Sequence, residues 1–510
     1  MIISLSVLVI TIIVSGTYAL YKAQLSKNIG VNTTTHGLAY YINYVKGTDI
    51  TAATLNPSTS YEGGASSDIE FWKKDDSYDI YGKIELTVNT IGTNLKNSPA
   101  IKYAVVNNGN VLKEGSLKGT TSGSKVTILK NLYLEQTKQI YTVYVWLDNS
   151  EELGNISNES LSISVDCTAS LQKEPTAADT IISLYTSAAK VTATNNSITY
   201  NTAPSVSLMN DRLGGTTTSL DGGNIRYYGA SPNNYIYFNC SDYSNQTSST
   251  CETWRIIGVF DGKLKLIRGS QIGKYSWDNK NISTGAEDDR GKNDWTTARL
   301  MKLLNPDDYY INDNNDKDSE GNYLGYSLYY NSASGMCFTD EGVNYSACDF
   351  TSTGIKNDET RNMIAETTYN LGGWNDTGVY PNEIYEYERG TTVYTGRPTT
   401  WTGKIALAYP SDYGYAADLN QCKQTLANYD NSTCTSNNWM KAIITDNGSN
   451  HGWLLTPDSS YSFGAWYSHG NVGEYFTGAA RGAAPVLYLS SKLGIESGDG
   501  SSSNPYKLSA

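Results

Sequence analysis

Residues 453–489 read WLLTPDSSYSFGAWYSHGNVGEYFTGAARGAAPVLYL. The two ends, WLL and PVLYL, are strand-like. The middle is made of Tyr, Phe, Trp, Ser, Gly, Ala and His. A buried core draws on Leu, Ile and Val, and a plain solvent loop has no use for so many large rings. The stretch therefore raises the question of what its rings face.

Composition sets the frame. The 510 residues allow two to four domains, each able to bury a core. With 38 Lys and Arg against 51 Asp and Glu the formal charge is -13, which argues against a nucleic-acid partner because no basic stripe is present. The chain has 41 Tyr and only 7 Phe. A Tyr ring combines apolar area with a hydroxyl that tolerates water, which suits ligand-facing surfaces and edge strands alike.

The opening MIISLSVLVITIIVSGTYALYK is apolar and uncharged from Ile2 to Tyr21, about the length that crosses a hydrocarbon core as a helix. Residues 1–21 are expected to be an export signal retained as a membrane anchor, since the first charge, Lys22, follows the run. Six of the seven cysteines fall into three local pairs: Cys240 with Cys251, Cys337 with Cys348, and Cys422 with Cys434. Three disulfides in an oxidising compartment are expected, with free thiols as the alternative, while Cys167 is left over. The spacing does not suit zinc, and no metal or cofactor is expected.

Three regions separate along the chain. Residues 22–67, rich in Thr, Asn and Ser, read as a stalk or first strand. Residues 68–170 alternate with period two through KIELTV, AIKYAVV, KVTILKNL, IYTVYVWLD and SLSISVD, with turns such as NNGN, predicting an immunoglobulin-like β-sandwich. Residues 171–223 read as a connector carrying one amphipathic segment, TAADTIISLYTSAAK. From 224 to 510 the texture is mixed. TWRIIGVFDGKLKLIRG predicts a hairpin turned at Asp261 and Gly262. NDWTTARLMKLLN predicts a helix capped by Asn293 or Asp294 and stopped by Pro306, DETRNMIAETTYNLGGW a second helix, and GKIALAYPSDYGYA a strand.

The segments RYYGASPNNYIYFNC, WRIIGVF, WTTARLMKLLN, GKIALAYPSDYGYA and the terminal WLLTP to GAAPVLYL together resemble a family of exported bacterial proteins. Their C-terminal domain is similar to the C-type-lectin-like fold shared with formylglycine-generating enzymes and with diversified receptor proteins. The resemblance covers roughly 224 to the C-terminus. The N-terminal sandwich weakly resembles domains of surface and biofilm-matrix proteins. The resemblance implies an α+β lectin-like domain and a surface location, and no established activity. On such a fold WLL and PVLYL are core strands and the middle lies at an exposed face or loop edge. Tyr461, Trp466, Tyr467, His469, Asn471, Glu474, Tyr475 and Arg481 are then the candidate ligand-binding residues. Gly464, Gly470, Gly473 and Gly478 would allow the turns. Rigid rings mixed with small polar residues are what a recognition surface uses, and packing of alternate rings over the sheet is the competing reading.

No catalytic motif is recognisable. The chain has three histidines, His36, His451 and His469, and no HExxH, GxSxG or Walker sequence. The acidic run DDYYINDNNDKDSEGNY matches a calcium loop at Asp316, Asp318, Glu320 and Gly321 but carries Ser327 where the twelfth-position Glu belongs, so it reads as a solvated loop, with adventitious calcium as the alternative. The expected function is recognition or adhesion at the cell surface, membrane-anchored, or secreted if the anchor is cleaved, with an extracellular protein or glycan as partner. A structural surface-matrix subunit and a carbohydrate-active enzyme are the alternatives.

Overall fold

The computed structural model describes residues 41–510 apart from 53–54, 152, 157, 172, 212–222, 281–284, 287, 307–327, 332–334, 338–345 and 510. For 23–24, 335–337 and 346–348 it describes the backbone alone. The expected anchor at 1–21 and the acidic run at 313–323 lie outside the described residues. Among the described residues no helix is long and apolar enough to cross a membrane. The chain is mostly β-structure in several antiparallel sheets and divides between Glu174 and Pro175 into two units.

Period-two burial builds the first unit. One sheet runs β1 (Ala23–Gln24), β11 (Leu161–Ser170), β6 (Tyr81–Ile91), β9 (Lys125–Tyr133), with β3 (Ile50–Thr51) also on β11. The other runs β2 (Ile42–Val45), β5 (Ala65–Lys73), β10 (Ile140–Asp148), β7 (Ile101–Asn107), β8 (Asn110–Ser116), with β4 (Pro57–Ser58) on β10. Ile84, Leu86, Ile163 and Val165 of the first meet Ile69, Phe71, Val143 and Val145 of the second in one core, so the two sheets form a sandwich. Asn108 and Gly109, at φ 49° and 78°, turn β7 into β8, as NNGN predicts. The stalk reading of 22–67 is corrected over its described part. Ile42 and Ile50 point into this core, and Ala65 begins a strand that alternates inward through Phe71. Cys167 is a free thiol buried in the same core, and burial pushes its pKa well up, so it acts as a packing residue.

The second unit begins at Pro175, so the connector reading of 171–223 is also corrected. Thr176 and Asp179 form a capping box that starts a helix at Ala177–Ser187, the predicted amphipathic segment. The polar residues beyond it form β12 (Val191–Asn195), β13 (Ile198–Ala203) and β14 (Leu208–Asn210). These strands open a nine-stranded antiparallel sheet that continues through β15 (Ile225–Tyr227), β17 (Glu252–Phe260) and β18 (Lys263–Arg268). β16 (Tyr235–Phe238) pairs on β17. The sequence hid this because the inward residues of β13 include Asn201 and Thr202 beside Tyr200. Asp261 and Gly262 turn β17 into β18 with φ of 47° and 71°, as predicted. The helix expected over 293–305 is confined to Arg299–Leu304, because Asp294 accepts from the Thr296 N–H and hydroxyl and holds a turn ahead of it. The second expected helix covers Asp358–Met363 and gives way to a strand, β22 (Thr367–Asn370), paired with β23 (Thr400–Gly403). The expected strand over 403–416 is only β24 (Ile405–Ala406), since Pro410 begins a helix to Tyr415.

Cys240–Cys251 and Cys422–Cys434 are disulfides, as their spacing predicts. The side chains of Cys337 and Cys348 lie outside the described residues. The quoted stretch supplies strands to both large sheets. β25 (Gly452–Pro457), β26 (Gly464–Ser468), β27 (Val472–Phe476) and β28 (Ala480–Gly482) join β19 (Lys274–Ser276) in a five-stranded sheet ordered β19-β28-β25-β26-β27. β29 (Val486–Tyr488) leaves it and enters the nine-stranded sheet between β18 and β24. Every residue of β25 and β29 is buried, which matches the core role expected of WLL and PVLYL.

A chain beginning at Lys173 is expected to give one cooperative melt. One beginning at Asp211 loses the helix and three strands that cover the edge of the nine-stranded sheet, and is expected to aggregate or to melt lower. Equal melting of the two fragments by circular dichroism would place the boundary back at 224.

Candidate functional site

Strand alternation sorts the aromatic middle into two faces. Tyr467 pairs with Trp453 on one side and Gly473 on the other, and Ala465 pairs with Tyr475. Trp466 pairs with Glu474 one residue out of step, so it points the opposite way. Tyr467, Tyr475 and Trp453 thus share one face, and Trp466 and Glu474 the other.

On the first face Arg481 lies between rings. Its Cζ is 3.9 Å from the Tyr467 centroid, 4.3 Å from Tyr475 and 5.4 Å from Trp453. His451 and His469 adjoin it: their rings are 4.8 Å apart, and each stacks on Tyr467, at 5.4 Å and 5.6 Å. Arg481 donates Nη1–H to His451 Nδ1 at 2.5 Å. A guanidinium can only donate, so Nδ1 accepts and the His451 proton sits on Nε2. Burial, then Arg481, His469 and Lys274, hold the His451 pKa below its ordinary value. Gly473 serves this face directly: a Cβ there would come within 3.0 Å of the Tyr467 ring. Tyr475 is 42% exposed, His451 and His469 are exposed and Tyr467 half-buried, whereas Arg481 is 9% exposed.

The second face is different in kind. Trp466 is fully buried and donates its indole N–H to the Trp374 carbonyl at 3.0 Å, which removes it from any exposed set. Trp374 in turn stacks on Tyr387 at 3.7 Å. Glu474 meets the buried Asp458, whose Oδ1 accepts from the Ser460 and Tyr461 N–H groups. Burial first, then the contact with Asp458 and the charge of Asp376, push the Glu474 carboxyl up to about 8. The direction favours the protonated form of Glu474 beside Asp458.

Of the predicted residues, Tyr467, His469, Tyr475 and Arg481 are brought together. Asn471 turns aside to donate to the Ala427 carbonyl at 3.1 Å. Tyr461, 54% exposed, stacks on Phe463 in the loop between β25 and β26. Of the expected turn glycines, Gly470 is at a positive φ of 125° between β26 and β27, while Gly464 and Gly473 lie within strands. Sequence reasoning missed His451 and Trp453 as members. The signal was their place at and just before the start of the strand preceding the ring-rich hairpin, where Trp453 pairs with Tyr467 and the His451 ring meets those of Tyr467 and His469. Among the described residues no group of three or more His, Cys, Asp or Glu is gathered as a metal site.

No family model matches the chain, and no curated protein matches it. Crystal structures of two HCR/D mutants share 11% and 12% identity with it. They cover 52% of this chain and 76% and 77% of their own, with TM-scores of 0.14, too low to carry an argument.

Two outcomes test this geometry. Trp466→Ala is expected to cost about 3–5 kcal/mol in chemical denaturation, and Tyr475→Ala less than about 1 kcal/mol. Equal losses would place both rings in the same environment. Because the folded-state pKa of Glu474 lies above its ordinary 4.5, its contribution to stability is present below that value and is lost as pH rises through about 8. Glu474→Gln keeps a donor toward Asp458 at every pH. The wild-type melting temperature is then expected to fall relative to the variant between about pH 5 and 9, and parallel profiles would reject the raised carboxyl.

Proposed function

We propose that this is an exported surface protein whose second unit recognises an extracellular glycan or protein through the ring-and-arginine face of the five-stranded sheet. The observation that carries the reading is the stack of Tyr467, Arg481 and Tyr475, which ends at solvent beside two exposed histidines. Rings held rigid by a sheet bury area on a ligand at small entropic cost. The two disulfides fit an oxidising compartment, and the apolar run at 1–21 would serve as the anchor. In this reading the sandwich is an immunoglobulin-like spacer and the second unit a lectin-like head. The formal charge of -13 supports a partner other than nucleic acid.

The test is a glycan and extracellular-protein array probed with the full chain. For a captured ligand, Tyr467→Ala with Tyr475→Ala is expected to weaken binding by roughly tenfold or more with the fold intact by circular dichroism. Undiminished binding by a folded double variant rejects this face as the recognition site.

A further inference from the structure

Among the described residues Arg481 makes no ion pair, and its hydrogen bond there is to a neutral His451 ring. Its Nε is buried without a partner among the described residues, and Nη2 makes no hydrogen bond there. The charge rests instead against the faces of Tyr467, Tyr475 and Trp453. Beside it stand the rings of His451, whose Nε2 carries its proton, and His469. Glu474 of β27 points to the opposite face, and Asp430 lies against Gly470, beside His469 rather than Arg481 in sequence. In a chain of charge -13 this is a local surplus of cationic and N–H groups, next to ring faces of the kind on which a sugar stacks.

We infer that the face binds a carboxylate-bearing sugar, a hexuronate residue, with its carboxylate on Arg481 and the His451 N–H and its pyranose ring against Tyr475. This rests on the recognition reading and names its ligand class. A neutral sugar would leave the guanidinium without an anion, and an anion without a ring would leave Tyr475 uncovered. A free guanidinium N–H next to a buried, unpartnered one is a geometry that a carboxylate completes with charge-assisted bonds.

The experiment is calorimetric titration of the full chain with oligogalacturonate, with its methyl ester of equal length, and with poly-glutamate. Oligogalacturonate is expected to bind, its methyl ester to bind at least roughly tenfold more weakly, and Arg481→Gln to lose a similar factor. Because Arg481 is packed between rings, its variant is checked by thermal melt. His451→Gln supplies an independent loss, and wild-type imidazole proton shifts of His451 and His469 on titration supply a second readout. Equal binding of acid and ester overturns the charge assignment. Equal binding of poly-glutamate overturns the sugar. If no uronate binds while an array ligand is lost in the Tyr467 and Tyr475 double variant, the ligand class fails and the recognition reading stands. If the face alters binding of nothing captured, both fail.

Discussion

Asp412 is the point on which the second unit turns. Its side chain is buried, with Oδ1 accepting from Arg226 Nη1 at 2.9 Å and Oδ2 accepting from Lys265 and from the Tyr409 N–H. One carboxylate thus ties β15, β18 and the start of the helix Pro410–Tyr415. Arg226 also binds Asp211, and Glu388, paired with Arg389, accepts from the Ser411 N–H and hydroxyl. Three cations and three carboxylates balance in an interior lined by Phe260, Tyr385, Tyr409 and Tyr415. Desolvating such groups costs more than apolar packing would, so their value lies in specifying one arrangement. A one-residue slip of β18 would turn Lys265 to the other face and leave Asp412 short of a cation. Because β29 pairs with β18 at Lys265 and Tyr488, the same contact sets the strand that follows Arg481 by a few residues.

The protonation states follow from the same burial. Desolvation pulls Lys265 down to about 8, against the attraction of Asp412, and pushes Glu388 up to about 7, against Arg389 and Ser411. Burial also pushes Asp412 up, but Lys265 and Arg226 outweigh it and its pKa lies below the ordinary carboxylate value. Its contribution to stability is present above that ordinary value and is lost as pH falls through the depressed one. Near neutrality Asp412 is therefore the fixed charge of the cluster, while Glu388 and Lys265 are the groups whose charge is most readily lost.

What the sequence conveyed, and what it concealed, follows from which interactions are local. The strand IYTVYVWLD and the Asp261–Gly262 and Asn108–Gly109 turns were legible because alternation and positive φ are properties of neighbours. The strands after the Ala177–Ser187 helix were not, since Asn195 is buried there by donating to the Leu419 and Cys422 carbonyls, more than 200 residues away. The site was legible as composition only. Trp466 and Tyr467 are adjacent and chemically alike, and only the register of β26 on β25 and β27 sends one into the interior and the other toward Arg481.

That division explains how an edge of the sheet can hold a rigid exposed surface. β27 is the outer strand of its sheet, where unpaired backbone groups and solvent would loosen the chain. Trp466 anchors the neighbouring β26 from behind through its bond to Trp374, itself stacked on Tyr387. On the same side Glu474 of β27 meets the buried Asp458, which follows the end of β25. With the backbone fixed from one face, the rings of Tyr467 and Tyr475 on the other are free of any structural duty beyond holding Arg481. A guanidinium supported by ring faces keeps its charge, where one paired with a carboxylate would be neutralised. The buried aromatic behind β26 thus fixes the backbone from which Tyr467 and its neighbours project toward Arg481.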